Sequence, residues 1–258
     1  NKIMNRLLFN GMEKFDLQVA EIDGGSLRNA IPRESFAKVA VKSSNKLAFE
    51  AEFAQWGETI KSELSVNEPN LTISLEWKEA PTKVLQKNTQ EKLIRAIYTA
   101  HNGVYAMSAA IADLVETSNN VARVAVRNGE IKIGCLTRSS VNSAKMDLAN
   151  ALTSAFELAG CDVSMDGEYP GWNPNPDSAI LSVVESKYES LFGAKPNVVA
   201  CHAGLECGIL GQNYPDMDMI SFGPTIKGAH SPDERVSISS VQKFWNFVQE
   251  ILKDIPKK

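Results

Sequence analysis

A chain of 258 residues, 43% of them apolar, is long enough to bury one large core or two ordinary ones, and two domains is the expected division. Its net charge of −4 is spread over interspersed acids and bases, which excludes a basic face for nucleic acid and a polybasic patch for a membrane surface. No apolar run approaches the ~20 residues of a membrane helix, no secretory signal opens the chain, and Cys135, Cys161, Cys201 and Cys207 lack metal-type spacing, so reduced thiols in a soluble cytoplasmic protein are expected.

The chain opens in mid-element: Asn1 to Leu8 has helical apolar spacing but no preceding strand, cap or initiator methionine. Strand-like alternation over Asp16 to Ile22 leads to a Gly24-Gly25 turn and a second strand near Phe36 to Val41. An amphipathic helix from about Leu47 to Leu64 and a strand at Leu71 to Trp77 follow. After Pro81 the order α-β-β-α-β recurs. A helix runs from Gln90 to His101 and onward, then strands at Ala122 to Arg127 and Ile131 to Leu136, a helix from Ser143 to Leu158, and a strand at Asp162 to Met165. Asn128-Gly129, between the two middle strands, is a type I′ hairpin signal because both residues tolerate positive φ. Each half predicts a ferredoxin-like unit with its first strand missing or weakly written.

The proline-rich stretch Tyr169 to Pro176 continues neither helix nor sheet and marks a boundary, dividing the chain into residues 1–168 and 169–258. Beyond it the pattern predicts a helix from Ser178 to Phe192, a strand at Val198 to Cys201, a glycine-bearing loop, a strand at Met217 to Phe222 and a last helix from Ser239 to Ile255. Strands alternating with helices imply an α/β layer, with chemistry in the loops at strand ends. Two clear strands make a poor independent sheet, so this region is expected to complete a domain whose other strands lie elsewhere.

Gly228-Ala229-His230-Ser231-Pro232-Asp233-Glu234-Arg235 holds a histidine between small residues and acids. A ring so placed either satisfies local hydrogen bonds or forms one arm of a zinc site, with Asp233 or Glu234 orienting it or capping the following turn. A catalytic zinc needs about three protein ligands, and no His-x-Asp, Glu-Glu or His-Glu-x-x-His occurs here. His202 precedes a loop whose glycines permit close approach to a ligand. Glu206 in that loop recognises a free amine or opens a helix. Arg138 at a strand end forms either an ordinary salt bridge or paired hydrogen bonds to a carboxylate. Asn29 is a turn asparagine or a substrate contact, and Asn119 and Ser118 carry the same ambiguity. His101, near a helix end, is assigned no role.

Several motifs occur in order: Gly24-Gly25-Ser26-Leu27-Arg28-Asn29-Ala30-Ile31-Pro32, Glu116-Thr117-Ser118-Asn119, Thr137-Arg138-Ser139-Ser140, Pro170-Gly171-Trp172, His202-Ala203-Gly204-Leu205-Glu206-Cys207-Gly208, and Ser221-Phe222-Gly223-Pro224 running to the His230 loop. Together they resemble the C-terminal portion of the aminoacyl-histidine (Xaa-His) dipeptidases, in the carnosinase and aminoacylase group of co-catalytic zinc peptidases. The resemblance implies an α/β fold: an α+β lid of two ferredoxin-like units over residues 1–168, also used for homodimerisation, and the returning part of the catalytic domain over 169–258. It implies hydrolysis of Xaa-His dipeptides with two zinc ions per complete enzyme, at most one ligand of which, His230, lies in this chain. Arg138, Asn29, Glu206, His202 and Asn119 become substrate-binding residues. The family's His-x-Asp, bridging Asp, Glu-Glu pair with the general base, further acidic ligand and Gly-His-Ser-Gly lid region do not occur here, so this polypeptide is expected to be inactive without an N-terminal half. The alternative is a non-catalytic lid-type module for binding or dimerisation.

Overall fold

Met4, Leu7, Leu8, Gly11 and Phe15 recur at helical spacing, and they form the inward stripe of helix α1 (Lys2–Phe15). The computed structural model describes residues 1–109, 111–173, 175, 177–200, 205–229 and 233–254, and within these the chain is a mixed α/β protein. Contacts divide it into two compact units. The first comprises Asn1–Tyr105, Ser118–Thr137 and Asp147–Ser164, and the second Ala106–Thr117, Arg138–Met146 and Met165–Lys258.

In the first unit α1 ends at Asp16, whose φ of 53° is the left-handed stop of a helix C-terminus. Strand β1 (Gln18–Gly24) pairs antiparallel with β2 (Ser35–Ala40), from Gln18↔Ala40 to Gly24↔Ser35. A 3₁₀ turn, Ser43–Asn45, leads into helix α2 (Lys46–Glu63), which buries Phe49 and Ile60. Helix α3 (Lys87–Thr99) buries Gln90, Leu93, Ile94 and Ile97, and edge-to-face contacts of Phe49 with Phe15 and Trp56 join α1 to α2 in the same core.

The expected continuation of α3 past His101 does not occur. Lys2 Nζ donates to the carbonyls of Ile97, Tyr98 and Ala100 at 2.7, 2.8 and 2.8 Å, a cation on the helix's negative end. Burial there pushes the Lys2 ammonium below its usual range. The chain turns at Gly103, φ 101°, into strand β3 (Gly103–Met107).

Strand β4 (Val115–Arg127) pairs with β1 through Ile22↔Val126 to Gly24↔Val124, and also with β3 and with β5 (Glu130–Ser139). Strands of both α-β-β segments therefore share one five-stranded sheet. Asn128 and Gly129 take the positive φ of the β4–β5 turn, 54° and 81°. Helix α4 (Asn142–Leu158) buries Leu148, Leu152 and Phe156.

Two expected strands are corrected. Residues 71–77 and 162–165 join no ladder. Leu71, Ile73 and Leu75 do alternate in burial with exposed neighbours, so the period-two pattern records which side chains face the core. A ladder needs in addition a partner edge at about 4.8 Å, and no described strand supplies it.

In the second unit Ser178 caps helix α5 (Ala179–Phe192) by accepting from Leu181 N at 3.1 Å, and Gly193, φ 66°, ends it. Helix α6 (Glu206–Asn213) precedes a two-residue hairpin of β6 (Ile226–Lys227) and β7 (Arg235–Val236). Helix α7 (Ile238–Lys253) is capped by Ser237. Tyr188, Phe192, Phe222, Phe244 and Phe247 interlock with ring centroids 4.7–5.9 Å apart, joining α5, α7 and the segment before β6.

The strand expected at Val198 to Cys201 is not formed over its described residues, and neither is that at Met217 to Phe222. A buried strand needs paired edges and covered faces. Val198 and Val199 are 50% and 76% exposed, and no described strand lies beside them. The glycine-bearing loop gives way at Glu206 to helix α6, which agrees with the reading of Glu206 as the start of a helix.

Candidate functional site

The polar residues of β4 and β5 sit at period two and meet across the ladder. Within the second unit, Thr117, fully buried, shares a 2.8 Å hydroxyl–hydroxyl bond with Ser139. Ser139 Oγ also accepts from Val141 N at 3.0 Å, and Ser140 N donates to the Glu116 carbonyl at 3.1 Å. This lock fixes the end of β5. Arg138 stands between Thr137 and Ser139, so strand alternation sends its side chain to the opposite face from theirs. It is half-buried, and its guanidinium forms no ion pair among the described residues.

Behind this strand end, α4 begins with two buttresses. Asn142 Oδ1 accepts from Gly171 N at 2.7 Å, and Lys145 Nζ donates to the Tyr169 carbonyl at 2.6 Å, with Asn142 Oδ1 at 3.4 Å and Glu168 at 3.5 Å. Lys145 is 7% exposed, and a buried ammonium is tolerable when such acceptors surround it. A Cβ at Gly171 would come within 2.4 Å of the Ser140 carbonyl, and one at Gly208 within 2.6 Å of that of Pro170. Each glycine permits an approach that any other residue would block.

The start of α6 is thus drawn against the 169–171 segment, which is drawn against the end of β5. Glu206 occupies the first turn of α6 and is exposed. Burial, then the charge of Glu206 and then that of Cys207, pushes the Tyr169 hydroxyl above the usual phenol range. Chemically this end of the unit presents one guanidinium able to take a carboxylate by paired bonds and one carboxylate able to take an amine, on a rigid polar base.

Asn29 and Asn119 belong to the first unit. Asn29 is exposed in a turn whose Ala30 N donates to the Leu27 carbonyl at 3.2 Å, while Asn120 Nδ2 holds the Arg28 and Ala30 carbonyls at 3.2 and 2.8 Å. Asn119 is 3% exposed with both ends of its amide engaged. Nδ2 donates to the His101 carbonyl at 2.7 Å, and Oδ1 accepts from Thr137 Oγ1 at 3.0 Å. Burial pushes the nearby Cys135 thiol above its usual range, as expected of an unreactive cysteine.

His230 and His202 lie outside the described residues. Among the described residues no group of three or more His, Cys, Asp or Glu side chains is placed to hold a metal ion. None of the described helices is long and apolar enough to cross a membrane.

Sequence reasoning missed Thr117, Ser139, Asn142 and Lys145 as individual residues, although two lay inside quoted motifs. Lys145 carried a legible signal. It continues the stripe Leu148, Leu152, Phe156, where an apolar residue would be expected.

Residues 28–254 match peptidase family M20/M25/M40. The whole chain is 40% identical to a protein of Escherichia coli (strain K12) named cytosol non-specific dipeptidase, of which it spans 53%. It superposes on the crystal structure of aminoacylhistidine dipeptidase from Vibrio alginolyticus with a TM-score of 0.86, at 40% identity, covering 100% of this chain and 52% of that one. The chain thus spans about half the length of the relatives it matches, and since the family pattern extends over most of its residues, it belongs to peptidase family M20/M25/M40.

Proposed function

We propose that this chain carries the substrate-holding part of a metal-dependent dipeptidase acting on short peptides, Xaa-His dipeptides among them, in the cytoplasm. Residues 1–168 are its lid and homodimerisation domain, and residues 169–258 the returning part of its catalytic domain. The observation that carries the reading is the convergence, within one unit, of Glu116-Thr117, Arg138-Ser139-Ser140, Pro170-Gly171 and Glu206-Cys207-Gly208 on the end of β5. The relatives, named as dipeptidases, support it.

Arg138 takes the C-terminal carboxylate of the dipeptide through paired, charge-assisted hydrogen bonds. Glu206 takes the free amine, and Asn29 and His202 contact the substrate near the scissile bond. Asn119 is a candidate of the same kind. Its engaged amide supports an indirect role, holding Thr137 beside Arg138. His230 is the metal ligand, with Asp233 or Glu234 orienting its ring. Family members are generally metal-dependent, and the complete enzyme holds two zinc ions, which when bound would polarise the scissile carbonyl and activate water. The general base and remaining ligands belong to the length of the relatives that this chain does not span, so the 258 residues alone bind at most one zinc ion and hydrolyse nothing. Lid closure over the substrate excludes water from the site.

The test uses a polypeptide of the relatives' length containing these residues. Arg138→Lys keeps the charge and loses the fork, so KM for Xaa-His dipeptides rises about tenfold or more, while KM for their C-terminal amides, which lack the carboxylate, changes little. Equal effects on acid and amide substrates would refute the role of Arg138. Absence of any hydrolysis with zinc supplied would leave the non-catalytic binding or dimerisation module as the better reading.

A further inference from the structure

Three buried side-chain atoms of the first unit have no hydrogen-bond partner among the described residues: Asn1 Oδ1, Asn5 Oδ1 and Ser35 Oγ. All three residues line one cavity of about 10 Å³, whose remaining wall is apolar, from residues such as Leu8, Ile97 and Val124. A buried polar atom that nothing satisfies is destabilising, and three around a single space call for one occupant.

The amides cannot turn away. Asn1 Nδ2 donates to the Val121 carbonyl at 2.9 Å and Asn5 Nδ2 to the Ile94 carbonyl at 3.0 Å, and reversing either amide would set oxygen against oxygen. The space therefore faces two obligate acceptors and one hydroxyl that can donate. A water molecule matches this set: its two hydrogens serve the two Asn oxygens, and its oxygen accepts from Ser35. Three hydrogen bonds are typical for an internal water, and 10 Å³ is about the least volume that holds one. A calcium-type cation takes six to eight oxygens, carboxylates among them, and no carboxylate lines this cavity.

We propose that the cavity is a permanent single-water site, integral to the fold. It joins α1 to the paired ends of β1 and β2, at the root of the loop that carries Asn29. Gly24 is the residue that makes room. A Cβ there would come within 2.0 Å of Asn1 Oδ1 and 2.5 Å of Ser35 Oγ, which gives this last residue of β1 a reason to be glycine that its strand conformation does not.

A crystal structure of the protein at a resolution that orders internal water tests this. The expected result is one peak within about 3.2 Å of all three atoms, retained with two partners in Ser35→Ala and lost in Gly24→Ala together with a lowered Tm. A cavity without density would overturn the proposal. So would an Asn5 amide turned toward another partner, or a peak with contacts of about 2.4 Å and the many oxygens of a cation. The wild-type density decides even where a variant fails to fold.

Discussion

Replacing Gln90 by methionine should be among the most damaging single changes in the first unit. Gln90 lies on α3 and is 3% exposed. Its Oε1 accepts from Val19 N at 2.6 Å, and its Nε2 donates to the Leu17 carbonyl at 2.7 Å. Leu17 and Val19 are 3% and 0% exposed, so water cannot replace either bond. Methionine keeps the length and the apolar stem of the side chain but orphans one backbone donor and one acceptor. At about 1–3 kcal/mol per buried orphan, the first unit loses about 2–6 kcal/mol, against the 5–15 kcal/mol that holds a typical domain folded. Urea unfolding followed by far-UV circular dichroism measures the loss, and hydrogen exchange over residues 17–24 localises it to β1. A Gln90→Met protein within about 0.5 kcal/mol of wild type, with unchanged exchange in β1, would refute the reasoning.

Asp218 accepts from Ile180 N at 2.9 Å at the start of α5, and backbone amides there, then Ser178, hold its carboxyl below the usual carboxylate range. A depressed folded pKa contributes stability that is present above the unfolded value of about 3.9 and is lost as pH falls through the folded one. Asp218→Ala is therefore expected to speed hydrogen exchange over residues 178–186 at pH 7 and to make little difference at the acid end of a pH series. A difference that persists undiminished in acid would refute the assignment. Gly171→Ala drives a methyl into the Ser140 carbonyl. It should cost about 1–3 kcal/mol or more, while Gly160→Ala, with open space around its Cβ position, reports the φ effect alone; equal losses in calorimetry would show that the 169–171 segment is not packed as described.

The helices other than α6 were legible because each carries its pattern locally. Lys2–Phe15, Lys87–Thr99 and Ile238–Lys253 have apolar residues at helical spacing, and a helix closes its hydrogen bonds within itself. The β4–β5 hairpin was legible for the same reason, since Asn128-Gly129 specifies a turn between adjacent runs. The strands at 71–77, 162–165, 198–201 and 217–222 were overread, because alternation reports burial of side chains while a ladder depends on an edge elsewhere in the fold. The N-terminal part of β4 was underread: its Thr117 and Asn119 look like loop residues until Ser139 and Thr137 stand opposite them.

The sequence by itself determined the α/β class, the helices other than α6, the hairpin and the family resemblance, since these rest on local periodicity and on motifs read in order along the chain. Tertiary structure alone decided that Arg138 stands on a locked strand end, that Asn142 and Lys145 clamp the 169–171 segment behind it, that Asn119 spends its amide on His101 and Thr137, and that three orphaned polar atoms surround one small cavity. These are contacts between residues up to 120 positions apart. Their free energy depends on geometry and desolvation, which no local pattern encodes.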